Sequence, residues 1–139
     1  MTTPLCRFLA RAAALLYLLS MVTGALAGLS LSGQLPADGH IVLGAHVSAL
    51  TGALMLLGFA YTTPMLRYTD AGLKRLAWAF IVASYSNWAI STAKAFPAVH
   101  GVGLTGRLAN DVVFVLLGAF VVAPTFVAAV AWVWGFKKQ

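Results

Sequence analysis

Of the side chains in this 139-residue chain, His46 and Asn87 are best placed to do chemistry, because each is the rare strongly polar group in a long uncharged run. Neutral imidazole is a common protein ligand of haem iron, which is one use for His46. The other use is a hydrogen bond to Ser, Thr or Asn on a neighbouring helix. From His46 alone, both remain open. On its helical face lie Val42, Ala49, Leu50 and Ala53, and the two alanines leave a shallow trough that a flat macrocycle could use. Further along, Ser84, Asn87, Ser91 and Lys94 are spaced by three, four and three residues, which puts them in one stripe at helical period. Such a stripe serves either as interhelical glue or, facing a histidine at similar depth, as the lining of a pocket. Asp111 opens a later helix and is expected to pair with Lys94 at the outer rim.

Other chemistries are poorly served. Asp38, Asp70 and Asp111 are the only acidic residues and fall in loops or at a helix edge, so paired-carboxylate acid–base catalysis is excluded. His40 and His100 belong to loops or helix ends, and a bis-histidine haem held by one chain would need one of them. Gly101-Val102-Gly103 has no strand and helix around it to make a nucleotide loop. Cys6 stands alone, so no internal disulfide forms, and it reads as an incidental residue at the membrane edge.

The elements that must position these residues are set by charge. Hydrophobic residues make up 61% of the chain and charged ones 9%, against roughly a quarter charged in soluble domains. Four stretches, Ala12 to Ala37, Gly39 to Leu66, Leu76 to Ala93 and Val112 to Phe136, contain no Asp, Glu, Lys or Arg. Crossing a hydrocarbon core takes about 20 helical residues. The runs are continuously apolar and do not alternate, which argues against strands. The predicted fold is therefore all-α: a single integral membrane four-helix bundle over residues 1–139, with helices at about 12–31, 41–62, 76–96 and 111–135. Gly33, Pro36, Gly39, Pro64 and Pro97 mark the intervening loops. On these bounds His46 lies about 8 Å and Asn87 about 13 Å from the outer helix ends.

Arg7, Arg11, Arg67, Lys74, Arg75, Lys137 and Lys138 fall at one end of the bundle, and Lys94 and Arg107 at the other. The positive-inside rule then predicts both termini in the cytoplasm and a multi-pass protein of a bacterial inner membrane. The net charge of +6 is a topology signal; the basic residues are too dispersed for a nucleic-acid surface. Ala25-Leu26-Ala27 after an apolar run is similar to a signal-peptide cleavage site, but the run continues to Leu31 and the first helix is expected to stay uncleaved. Trp78, Trp132, Trp134, Tyr61 and Tyr68 are expected in interfacial belts.

Ala45-His46 followed by small apolar residues resembles the second helix of styrene oxide isomerases. Asn87-Trp88 is similar to their third-helix segment and to the Asn-Trp pair of hydroxylaminobenzene mutase-like proteins. Asp111 and Ala123-Pro124 resemble the fourth helix. The resemblance covers helices 2 to 4, some 90 residues, and rests on short motifs. It implies a four-helix membrane isomerase that forms a homotrimer and binds haem b at subunit interfaces, with His46 as the iron ligand beside Ala49 and Ala53. It also implies Lewis-acid opening of an aryl epoxide and a hydride shift to a carbonyl, as in aromatic degradation, with Asn87 steering the oxygen. Thr51, Gly52, Ser84 and Ser91 would line the pocket. Two positions depart from the family: Gly52 stands where an asparagine follows the histidine by six residues, and Ser91 where a tyrosine follows the helix 3 asparagine. A mutase-type rearrangement of an aryl N-hydroxyl is the alternative enzyme reading, and a non-enzymatic b-haem or helix-packing subunit of a membrane complex the alternative of another class. Either isomerase takes a small apolar aromatic delivered through membrane lipid. Four short helices enclose little volume, so a haem-sized site is expected between copies of the chain.

Overall fold

The computed structural model describes residues 3–136; Lys137 and Lys138, which contribute to the charge asymmetry, lie outside them. Four helices make up the described chain, with no strand among its residues. They are α1 Pro4–Leu31, α2 Gly39–Thr62 extended by a 3-10 turn at Thr63–Met65, α3 Asp70–Ala93, and α4 Leu108–Gly135. Three of them, α1, α2 with its turn, and α4, are long and apolar enough to cross a membrane. The exception is α3, where Ser84, Ser86, Asn87, Ser91 and Thr92 dilute the apolar run.

Two helices begin well before the predicted bounds. The α1 helix starts at Pro4, behind Thr3, whose side chain accepts from the Cys6 N–H; a Thr cap followed by Pro is a strong start signal. The α3 helix starts at Asp70 behind the Thr69 cap. Arg7, Arg11, Lys74 and Arg75 are therefore helical and exposed. Charge marks the edge of the apolar zone, and the helix continues through it.

The helices α1 and α2 form a tight antiparallel hairpin. Buried positions on α1 run Leu9, Ala13, Leu16, Ser20, Thr23, Ala27, Ser30, a three-four repeat of the kind that winds two helices into a left-handed pair. On α2 the facing residues include Ala45, Ala49 and Ala53, all buried. Small residues let the backbones approach closely, the main source of helix attraction when lipid replaces water. At the turn, a Cβ on Gly39 would come 2.9 Å from the Leu31 backbone nitrogen, so the chain needs glycine there.

Aromatic side chains fasten the other two helices. The Tyr85 hydroxyl of α3 donates to the Ala12 carbonyl at 2.8 Å, and Trp88 Nε1 donates to Thr23 Oγ1 at 2.8 Å, both on α1. Trp132 of α4 packs edge-on against Phe59 and Phe80 with ring centroids 5.7 and 5.5 Å away, and donates to Thr62 Oγ1 at 2.9 Å. Tyr68 donates to the Ala131 carbonyl at 2.7 Å. Trp132 and Tyr68 thus turn their polar tips into the bundle. Tyr61, Trp78 and Trp134 are exposed.

A π turn at Gly118–Val122 interrupts α4 directly before Ala123-Pro124. Pro124 has no N–H, and its ring would press on the Phe120 carbonyl in a regular helix; widening one turn relieves that clash. Only 6% of the α4 apolar window is buried, against 39% for α2. The α2 helix is central, and α4 lies at the margin.

Candidate active site

His46 is held from α1. Its Nδ1 lies 2.7 Å from the Ser20 carbonyl oxygen, and Ser20 Oγ donates in return to the His46 carbonyl at 2.9 Å. A carbonyl has no proton to give, so Nδ1 must be the donor; in the neutral ring Nε2 then carries the lone pair. Nε2 makes no hydrogen bond among the described residues. The expected bond to a neighbouring serine therefore exists, but it occupies only one ring nitrogen. That is the arrangement that orients an imidazole for metal ligation. Gly24 makes room for it: a Cβ there would come 2.9 Å from Nδ1 and 3.0 Å from Cε1.

The tight hairpin explains these contacts. Seven residues back from Leu31 is Gly24, and seven forward from Gly39 is His46, so the turn places them opposite each other. Ser20, one helical turn further, supplies the carbonyl. Neither α1 residue was singled out by residue type, though the short loop carried the signal.

The anticipated trough beside the imidazole is filled. Ala49 and Ala53 are fully buried in the core with Leu9, Ala13 and Leu16. They bring the chain's own helices together and offer no surface to a ligand.

A second feature lies on the other flank of α2. An open-sided groove of about 670 Å³ runs between α2, α3 and α4 and is lined by Ser48, Thr51, Gly52 and Met55, by Ala83, Ser84 and Asn87, and by Val121, Val122, Thr125, Phe126 and Ala129. It is mostly apolar. The π turn supplies Val121 and Val122 to its wall. Asn87 accepts from Ser91 Oγ at 3.3 Å, and its Nδ2 donates to no group among the described residues. Ser84 Oγ is buried and has no hydrogen-bond partner. Thr51 spends its hydroxyl on the Val47 and Ser48 carbonyls. Ser48 and Thr125 belong to the groove but were not legible as site residues.

His46 and Asn87 are at matching depth, seven residues past Gly39 and six before the end of α3, about 10 Å at 1.5 Å per residue. Yet they do not meet. His46 and Ser48 point roughly 160° apart around α2, so one chain holds the imidazole on its α1 flank and the groove on the opposite one. The expectation that both line one space between α2 and α3 is corrected by the hairpin, which claims the His46 face of α2.

Beyond the groove, at the end of the bundle that carries the α1–α2 turn, His40, Ile41, Gly44, Ser91, Lys94 and His100 line a second pocket of about 370 Å³. His40 and His100 are thus apart from His46, and no group of three or more His, Cys, Asp or Glu that could hold a metal ion exists among the described residues. The Lys94–Asp111 pair does not form. Lys94 Nζ donates to the His100 carbonyl at 2.8 Å, and Asp111 accepts from the Thr105 and Gly106 N–H groups at 2.8 and 3.0 Å. Both find backbone partners in the α3–α4 connection, Lys94 in the residues that follow it and Asp111 in those that precede it.

Two comparisons with known proteins bear on this arrangement. A sequence model of the styrene oxide isomerase family matches residues 5–137. No curated protein matches the chain.

Proposed function

Because the chain belongs to the styrene oxide isomerase family, we propose that it is a membrane-embedded isomerase that rearranges an aryl epoxide into a carbonyl compound. The observation that carries this reading is His46, with Nδ1 committed to the Ser20 carbonyl and Nε2 unpaired. The donor chemistry fits haem b, with His46 Nε2 as the residue that would hold the iron. When bound, ferric haem supplies a Lewis acid with an open position.

The chain's own residues do the rest. The Ser20 carbonyl and Gly24 fix the imidazole plane. The Asn87 Nδ2 orients the substrate oxygen by donating a hydrogen bond, and the apolar groove holds the ring and excludes water. Conversion of an epoxide to an aldehyde breaks the benzylic C–O bond and moves a hydrogen to the adjacent carbon, with no net gain or loss of protons. The absence of carboxylates from the groove lining suits such a reaction.

Because His46 and the groove lie on opposite flanks of α2, the complete site is proposed to form between copies, His46 of one chain facing the groove of the next. Two different surfaces meeting in this way make a head-to-tail contact, which forms a ring when the rotation between copies closes; a trimer is the ring the family resemblance implies. The same reading keeps four passes through a bacterial inner membrane, with Arg7, Arg11, Arg67, Lys74 and Arg75 at the cytoplasmic end.

Purified protein supplemented with haem tests this directly. The expected result is a Soret band that His46→Ala abolishes, together with turnover of styrene oxide. A protein with no Soret band overturns the haem assignment, and turnover of phenylhydroxylamine in place of styrene oxide would assign the mutase-type reaction.

A further inference from the structure

Many hydroxyls on these helices fold back onto their own backbone. Thr23 donates to the Leu19 carbonyl, Ser30 to Leu26, Thr62 to Gly58 and Thr92 to Trp88. Ser84 does not. It is 5% exposed, its Oγ has no partner, and it borders the groove. An unsatisfied buried hydroxyl costs about 1–3 kcal/mol, and the Phe80 carbonyl one turn back offers the usual remedy.

Gly52 leaves room for that hydroxyl beside the groove. A Cβ at position 52 would stand 3.1 Å from Ser84 Cβ and 3.3 Å from Ser84 Oγ, and 3.2 Å from Leu16 Cδ2, crowding it. One turn of α3 further on, Asn87 brings its unpaired Nδ2 to the same groove. Two unspent donors on one helix face thus border an otherwise apolar space with no cation and no carboxylate in its lining.

We infer that Ser84 is a specificity-determining residue: its hydroxyl, with Asn87 Nδ2, selects an uncharged aromatic ligand bearing an acceptor oxygen over the equivalent hydrocarbon. The inference rests on the reading of the groove as the substrate site, but it requires neither haem nor turnover. A site built to hydrogen-bond an oxygen discriminates because its buried donors go unpaired with the wrong ligand.

Equilibrium dialysis of the detergent-solubilised protein with acetophenone and with ethylbenzene, which differ in the carbonyl oxygen, tests this. Comparing variants in the same detergent cancels micelle partitioning. The ratio of the two affinities should fall about three- to tenfold in Ser84→Ala, the range of one lost hydrogen bond. Ethylbenzene binding should hardly move, and the ligand-free melting temperature should stay level or rise, since an unpaired donor has been removed. Gly52→Ala should lower the same ratio by crowding the hydroxyl. An unchanged ratio in Ser84→Ala, with acetophenone binding weakened by Asn87→Ala, overturns the Ser84 assignment and leaves the groove as the binding site. Absence of acetophenone binding to the wild-type protein overturns both.

Discussion

Imidazole orientation depends here on a contact too close for any side chain but hydrogen. A Cβ on Gly24 would meet the His46 ring at 2.9 Å, whereas one on Gly28 meets nothing within 4 Å. Gly24→Ala is therefore expected to displace the ring and to lose most of the Soret intensity on haem supplementation. Gly28→Ala should keep it and gain up to about 1 kcal/mol of helix stability; absorption spectra and melting curves of the pair decide the matter. Asn87→Leu keeps the volume and removes the donor, and should lower styrene oxide turnover about 100-fold with a small change in KM, measured by initial rates. His46 and Asn87 were both legible in the sequence, since polar groups in uncharged runs are conspicuous. Their partners were not. Ser20 and Gly24 look like ordinary small residues of a membrane helix until the length of the α1–α2 turn fixes what faces them; Ser84 was legible as part of the polar stripe, but its buried, unpartnered hydroxyl was not.

Between elements, the fourth helix is the least secured, and its hold is aromatic. Trp132 joins Phe59 and Phe80 and also satisfies its own N–H on Thr62. Trp132→Ala should destabilise the fold by about 3–5 kcal/mol, read as a lower melting temperature in detergent, whereas Trp134→Ala at the exposed end should cost far less. Gly135 has a related duty, because a Cβ there would come 2.8 Å from Tyr68 Cε2. Helix number and order followed from the four uncharged runs. Helix starts did not, because Arg7, Arg11, Lys74 and Arg75 end the apolar zone without ending the helix. Thr3-Pro4 and Thr69 carried the true start signals. The π turn was foreshadowed only by Pro124, whose missing N–H must be absorbed somewhere nearby.

In the proposed assembly the chain would contribute two half-sites from opposite flanks of α2; Leu43, Val47 and Leu54 are exposed elsewhere on the same helix. Native mass spectrometry from detergent should show a closed ring of identical subunits, and a protein that remains monomeric with full activity would contradict the shared site. A single sequence could suggest an intersubunit site only from volume, since four helices enclose little space. It could not reveal that His46 and Asn87 turn away from each other, because that depends on which face of α2 the hairpin claims. The most direct test of the functional account is conversion of styrene oxide to phenylacetaldehyde by the haem-supplemented protein, wild type beside His46→Ala. The account predicts steady turnover by the wild type and none above background by the folded variant. Equal rates in the two, or none in either, would contradict it.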